Sequence, residues 1–120
     1  MNMSIPATKP VNTPLCKMGD WAFVSGITGR HGEALVDGGF EAEFGLVLER
    51  FQALLEHHSL SLRNVAKVTL YLTDMSNRER MNEMYLKFFD GHLPARTVVG
   101  VTEIARNGAV ELEAYVSMAP

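Results

Sequence analysis

The sequence has almost no cysteine, no long apolar run and no run of basic residues. Its 120 residues include a single cysteine, Cys16, which has no partner for an internal disulfide. This indicates a reducing compartment, and we expect a cytoplasmic protein. No stretch approaches the roughly 20 apolar residues of a transmembrane helix, so we expect no membrane partner. The formal net charge of −3 argues against nucleic acid as a partner, since that affinity depends largely on neutralising phosphates.

The chain otherwise has the composition of an ordinary globular domain. Hydrophobic residues make up 47% and charged residues 21%, which suits one domain that buries its own core. We expect a single domain over residues 1–120. Residues 1–10 contain two prolines and lack the apolar run of a signal peptide, so they are predicted to be a flexible N-terminal segment.

Apolar periodicity predicts an α+β fold. Spacings of three and four predict an amphipathic helix from Phe40 to about His58 and a second one that ends at Asp90–Gly91. Alternating apolar residues or short β-branched runs predict the strands Trp21–Thr28, Ala34–Val36, Val65–Leu72, Pro94–Val101 and Ala109–Ser117. This order favours a mixed sheet that carries both helices on one face and leaves the other face open.

Several local features add detail to this prediction. Ser25–Gly26 interrupts the first strand and suggests a bulge or a close approach, although a plain strand end fits equally well. Ala34–Val36 is expected to pair with that first strand. Ser76 and Glu79 have the spacing of a capping box at the start of the second helix.

The open face is expected to mix polar and large apolar side chains, which favours its burial by another subunit. Its predicted members are Val65, Lys67, Thr69, Tyr71, Val99, Glu111, Glu113 and Tyr115.

Arg96 is the charged residue that most needs an explanation. It begins a β-branched strand, and no acidic residue follows it until Glu103. Such an arginine extends to solvent, forms a structural ion pair, or binds an anion, and the pattern alone leaves all three open. His57 and His58 suit the C-terminal end of a helix. No third ligand stands at a suitable spacing from them, so we predict no metal site.

Five segments, taken together, resemble the RidA/YjgF family of reactive-intermediate deaminases. They are Ser25–Gly26, Val65–Asp74, Met81–Phe89, Pro94–Thr97 and Val110–Ala114. The resemblance runs from about Asn12 to Met118. It implies a chorismate-mutase-like fold and a homotrimer with a central β-barrel, in which the active sites lie between subunits.

The resemblance also implies a reaction that needs no metal and no cofactor. Family members with the arginine of Pro-Ala-Arg hydrolyse 2-imino acids, such as 2-iminobutanoate and 2-iminopropanoate, or their enamine tautomers, to 2-oxo acids and ammonia. Arg96 would hold the substrate carboxylate through two hydrogen bonds, and Glu111 would position the water. Ser25 and Asn82 would help to bind substrate or water, or would serve as ordinary structural hydrogen bonders. Glu113 is expected to be structural or interfacial.

Three positions depart from the family pattern. Asn12 stands where a cleft tyrosine is usual, Val98 where a cysteine is frequent, and Ser59 where a glycine ends the first helix. We expect Asn12 and Val98 to contact the substrate, and the changes leave the substrate range open.

Two other functions remain alternatives. The first is a trimer that binds a small carboxylic or 2-oxo acid, or that hydrolyses another small enamine. The second is the ribonuclease or translation-inhibiting role of some relatives. An acidic chain without interleaved basic and aromatic residues supports the second least.

Overall fold

The computed structural model describes residues 10–119. Most of the predicted flexible segment, residues 1–9, lies outside the described residues. The strands are β1 (Leu15–Met18), β2 (Trp21–Thr28), β3 (Arg30–His31), β4 (Ala34–Leu35), β5 (Val65–Leu72), β6 (Ala95–Gly100) and β7 (Val110–Ser117), and the helices are α1 (Gly39–His57) and α2 (Arg78–Phe89). Both predicted helices and the four long predicted strands are therefore confirmed.

Five strands form one mixed sheet in the order β1-β2-β7-β5-β6. Its neighbours are antiparallel except for β5 and β6, which run parallel. Parallel neighbours need a crossover, and α2 provides it between β5 and β6. β7 lies at the centre of the sheet, whereas β1 and β6 form its two edges.

The core lies between the helices and one face of the sheet. Alternate residues of β7 are at most 1% exposed, as their period-two pattern predicted. The buried residues that meet in this layer are Phe44, Val47, Phe51 and Leu55 of α1, Met81, Tyr85 and Phe89 of α2, and Ala22, Val24, Val68, Leu70, Leu72, Leu112 and Ala114 of the sheet. Each large side chain buried there stabilises the fold by about 1.5–3 kcal/mol.

The structure corrects the predicted pairing of the short second strand. Ala34–Leu35 pairs with Arg30–His31 in a separate two-stranded sheet. The neighbours of β2 are instead β1 and β7. β1 was not predicted, because it has four residues and three of them are exposed, so it lacks the alternation that marks a half-buried strand.

The predicted capping box and the predicted position of Val65 on the open face were wrong, whereas the predicted bulge in the first strand was right. Ser76 does not take part in a capping box at α2. The Asp74 carboxylate accepts hydrogen bonds from the backbone N–H and the hydroxyl of Ser76, at 2.9 and 2.7 Å, in a turn before the helix. Val65 was predicted on the open face, but its side chain is buried in the core. The register of β5 against β7 shifts between Val65 and Lys67, so Val65 does not follow the alternation of the rest of the strand. The β2 register shifts between Val24 and Ile27, which confirms the bulge at Ser25–Gly26.

The opposite face of the sheet is open in the single chain. Phe23 and Tyr115 remain 40% and 49% exposed there, with their ring centroids 5.3 Å apart in an edge-to-face contact. Trp21 and Met18 follow in register on β2 and β1. We call these four residues the open-face patch. The trimer and the barrel that would cover it stay predictions.

Among residues 10–119, no helix combines the length and the apolar character that crossing a bilayer requires.

Candidate functional site

Arg96 and Asn82 meet beside the edge of the sheet. Arg96 Nη2 donates a hydrogen bond of 2.7 Å to Asn82 Oδ1, and its Cζ atom lies 4.8 Å from the centre of the Tyr85 ring. A half-buried Arg96 is thus held by one hydrogen bond and one cation–π contact. The Arg96 side chain lines a cavity of about 340 Å³, which we call the Arg96 pocket. The lining residues are Asn82, Tyr85, Leu86, Leu93, Pro94 and Arg96.

Val98 does not line the Arg96 pocket. It pairs with Leu70 across β5 and β6 and packs, partly buried, against the core. The prediction that Val98 contacts substrate therefore has no support from the lining of this pocket.

Glu111 occupies a second cavity, on the open face of the sheet. This Glu111 pocket has about 210 Å³ and is lined by Gly26, Tyr71, Val101, Glu103, Ile104, Glu111 and Glu113. The Glu111 side chain makes no hydrogen bond to any residue in the range 10–119. Glu113, expected to be structural, accepts a hydrogen bond from the Tyr71 phenol, which raises the pKa of Tyr71 to about 12.

Gly26 makes room for the Glu111 carboxylate. A Cβ atom at Gly26 would overlap Glu111 Oε2 and lie 2.8 Å from its Cδ, so the carboxylate rests directly on the glycine backbone. Burial, followed by repulsion from Glu113, raises the pKa of Glu111, while the nearby charge of Arg30 opposes that rise. A carboxylate whose pKa is raised binds a proton more readily than an ordinary glutamate, as a group that exchanges protons with water must.

Ser25 and Asn12 line a third and larger cavity, the Ser25 cavity, of about 540 Å³. Its walls are Asn12, Pro14, Ser25, Gly26, Ile27, Arg30, Arg50, Ala53 and Leu54. The Ser25 hydroxyl donates a 2.6 Å hydrogen bond to the Thr13 carbonyl, so it fixes the segment before β1 and keeps its lone pairs as acceptors. Gly26 lines both this cavity and the Glu111 pocket.

The predicted site residues therefore lie in three separate cavities of one chain. Arg96 pairs with Val68, whose side chain is buried under the helices, whereas Glu111 pairs with Tyr71 on the open face. Strand β5 separates β6 from β7. Arg96 with Asn82 thus lies on the helix side of the sheet and Glu111 on its open face, while the cavity of Ser25 and Asn12 is walled partly by α1.

Among residues 10–119, no three His, Cys, Asp or Glu side chains are grouped closely enough to hold a metal ion.

The family model described as Endoribonuclease L-PSP matches residues 2–118. The chain belongs to this family, the RidA/YjgF family. A RutC family protein of Pyrococcus horikoshii is 36% identical over 113 residues, which cover 90% of this chain and 89% of the relative. The 2-iminobutanoate/2-iminopropanoate deaminase of Mus musculus is 35% identical over 86 residues, 72% of this chain and 64% of the relative.

A solved RidA structure shares this fold. RidA from an Antarctic Psychrobacter species has a TM-score of 0.84 at 31% identity, and the match covers 93% of this chain and 92% of that one. The identification made from the sequence and its mixed α+β fold with two helices are therefore confirmed.

Three residues that line cavities of this RidA/YjgF member were not predicted from the sequence. Tyr85 is one of the buried residues of α2, yet its ring lies under Arg96, and its buried hydroxyl has no hydrogen-bond partner within residues 10–119. Its spacing of three from Asn82 on one helix was the available signal. Arg30 and Arg50 line the Ser25 cavity, but they belong to different elements, β3 and α1, and no sequence pattern links them.

Proposed function

We propose that this protein hydrolyses 2-imino acids or their enamine tautomers to 2-oxo acids and ammonia. The observation that carries the proposal is that the Arg96 guanidinium is held in place but has no acidic partner among residues 10–119. Asn82 and Tyr85 orient the guanidinium beside a cavity, and no acidic residue in the range 10–119 forms an ion pair with it. A planar guanidinium with free donors is the group that best binds a carboxylate through two hydrogen bonds. Relatives named 2-iminobutanoate/2-iminopropanoate deaminases support this choice.

Glu111 supplies the proton transfers in this proposal. It takes a proton from a water molecule as the water oxygen bonds to the imine carbon, and the C=N π electrons move to nitrogen. Glu111 returns this proton to the nitrogen, which gives a tetrahedral carbinolamine with an amino group. Glu111 then carries the hydroxyl proton of the carbinolamine to that amino group, so the C–N bond breaks as the C=O bond forms, which releases ammonia and leaves the 2-oxo acid. Its raised pKa suits both directions of transfer.

The site is completed between two copies of the chain. Arg96 and Glu111 lie on opposite sides of one sheet, so a substrate that contacts both takes Arg96 from one copy and Glu111 from its neighbour. The exposed open-face patch supports an assembly of this kind. A cyclic assembly repeats the same pairing at every interface.

The first test is release of ammonia and 2-oxo acid from freshly generated 2-iminobutanoate. We expect the wild-type protein to accelerate release above the spontaneous rate. Arg96→Ala should lower kcat/KM by about 10- to 100-fold through the lost charge-assisted bonds. Glu111→Gln should lower kcat by about 10²- to 10⁴-fold. The matched control is Arg78→Gln, an exposed arginine of α2 outside all three cavities, which should leave both constants unchanged.

A second test asks whether the two residues act across an interface. Arg96→Ala and Glu111→Gln chains are mixed after unfolding and refolded together. Random assembly leaves about a quarter of the interfaces with both native residues, and hence about a quarter of the wild-type activity. No recovery from a mixture that forms mixed oligomers would refute the shared site.

A folded protein that fails to accelerate any imine tested would refute the deaminase. Binding of 2-oxobutanoate that disappears in Arg96→Ala would then point to the alternative of a small-carboxylate-binding protein.

A further inference from the structure

Two arginines line the Ser25 cavity, and no carboxylate from residues 10–119 does. Arg30 and Arg50 stand on different elements, one on β3 and one on α1, and both reach the same wall. The other lining residues are neutral. We propose that this cavity binds a second acidic group of the substrate, so that the preferred imino acids are dicarboxylic. This inference rests on the proposed function.

Both guanidinium groups are fixed by Thr28 at the end of β2. Arg30 Nε donates a 2.9 Å hydrogen bond to Thr28 Oγ1, and Arg50 Nη1 donates a 2.7 Å hydrogen bond to the Thr28 carbonyl. Thr28 is itself 5% exposed. Each arginine has five N–H donors, so each keeps donors for a ligand while its position is set in advance. Such preorganisation lowers the entropic cost of binding.

The two positive charges have no acidic partner in contact. The ion pairs among residues 10–119 are Arg80 with Glu41 and Glu83, and Arg106 with Glu33. Partial burial, followed by repulsion from Arg30, lowers the pKa of Arg50. A bound anion would relieve this repulsion, since an opposite charge favours the charged form of each arginine.

The cavity lies next to the pocket of the proposed catalytic carboxylate. Gly26 lines both the Ser25 cavity and the Glu111 pocket, and the charge of Arg30 acts on Glu111. A substrate whose imine carbon lies at Glu111 would therefore extend its far end toward Arg30 and Arg50. Its 2-carboxylate would remain with the neighbouring copy's Arg96.

The test compares two imines that differ in one carboxylate. The first, 2-iminoglutarate, is generated from L-glutamate by an amino-acid oxidase, and 2-iminopentanoate, with the same five-carbon chain but no side-chain carboxylate, is generated from L-norvaline. We expect a wild-type kcat/KM about tenfold or more higher for 2-iminoglutarate, as one or two charge-assisted bonds imply. Arg30→Gln and Arg50→Gln should each reduce this ratio by about tenfold. Arg50→Lys should keep part of it, and Arg78→Gln all of it.

The ratio of kcat/KM for 2-iminoglutarate to kcat/KM for 2-iminopentanoate distinguishes a change of specificity from a general loss of activity. Removal of Arg30 also changes the charge beside Glu111, but that change affects both substrates alike. Equal wild-type constants for the two imines, or a ratio unchanged in both glutamine variants, would overturn the inference while the deaminase proposal stands.

A binding measurement covers the case in which no imine is accelerated. Calorimetry of 2-oxoglutarate against 2-oxopentanoate should show tighter binding of the dicarboxylate, and Arg50→Gln should abolish the difference. Equal affinities would overturn the inference. Inorganic phosphate that binds as tightly as 2-oxoglutarate would overturn its assignment to dicarboxylates and leave a general dianion site.

Discussion

Asn82 Oδ1 accepts a 2.7 Å hydrogen bond from Arg96 Nη2 and so connects α2 to the edge strand β6. The contact orients the guanidinium and leaves Arg96 free of any carboxylate among residues 10–119. A neutral amide suits this role better than an acid, because an acid would neutralise the charge that the substrate needs.

Asn82→Ala should therefore weaken substrate binding more than it slows chemistry. We expect KM for 2-iminobutanoate to rise about 3- to 10-fold, equivalent to one hydrogen bond, with kcat nearly unchanged. Asn82→Asp should raise KM further, because its carboxylate forms an ion pair with Arg96 and competes with the substrate. If Asn82→Asp binds substrate better than Asn82→Ala does, the anchoring role is wrong.

Gly26→Ala tests the position of Glu111. The new methyl group would overlap the carboxylate, and the flexible glutamate would turn away at a cost of about 1 kcal/mol in stability. Activity should fall about as far as in Glu111→Gln. The matched control is Gly45→Ala on α1, where a Cβ meets nothing within 4 Å and activity should not change. A fully active Gly26→Ala enzyme would contradict the carboxylate's role.

The raised pKa of Glu111 predicts how stability depends on pH. Because the folded pKa lies above the unfolded one, Glu111 stabilises the fold fully only below the unfolded pKa, and this contribution is lost as pH rises through the folded pKa. Glu111→Gln should therefore have a higher Tm than wild type at about pH 7. The difference should shrink as pH falls toward the ordinary glutamate pKa of about 4.3. Thermal unfolding across this range checks it, and a wild type that is more stable at neutral pH would contradict it.

Ser59 ends α1 in a conformation that favours glycine. Its φ is 60°, its N–H donates to the Glu56 carbonyl at 3.0 Å, and the Leu60 N–H donates to the Leu55 carbonyl at 2.8 Å. This is the Schellman pattern. Ser59→Gly should stabilise the protein by about 1 kcal/mol, since only glycine adopts this conformation without strain. Ser59→Ala, which keeps the strain, should give no gain in a denaturant titration.

The open-face patch should hold the oligomer together. Phe23→Ser and Tyr115→Ser remove half-exposed rings without touching the core, so each folded variant should sediment as a smaller species than wild type. Both should also lose deaminase activity, because the shared site needs a neighbour. Val11→Ser, which changes an apolar residue that is 96% exposed and lies outside the patch, is the control. An unchanged sedimentation coefficient in both patch variants would place the interface elsewhere.

Periodic burial made most of the fold predictable. β7 buries every second residue and α1 buries one stripe, so both could be recognised from spacing alone. The predictions that were wrong or missing concern segments whose buried residues do not recur at a regular spacing. β1 is too short and exposed. The turn at Asp74 depends on the two hydrogen bonds that its carboxylate accepts from Ser76, which replace the predicted capping box.

The site was less predictable than the fold. Arg96 and Asn82 were named as site residues through family resemblance, and the structure places their side chains in contact. The placement of Arg96 and Glu111 on opposite sides of the sheet depends on the register of β6 and of β7 against β5, and sequence spacing does not give that register. Arg30 and Arg50 line one cavity because both donate hydrogen bonds to Thr28. No local sequence pattern predicts that two arginines will share such a partner.

The position of β7 at the middle of the sheet bears on how the chain folds during synthesis. β7 is the last strand along the sequence, yet it joins β2, the strand before α1, to β5. Until the ribosome has produced β7, the two halves of the sheet have no shared neighbour, and the apolar faces of β2 and β5 stay partly uncovered. Nascent chains are therefore most prone to aggregation or chaperone capture just before β7 emerges.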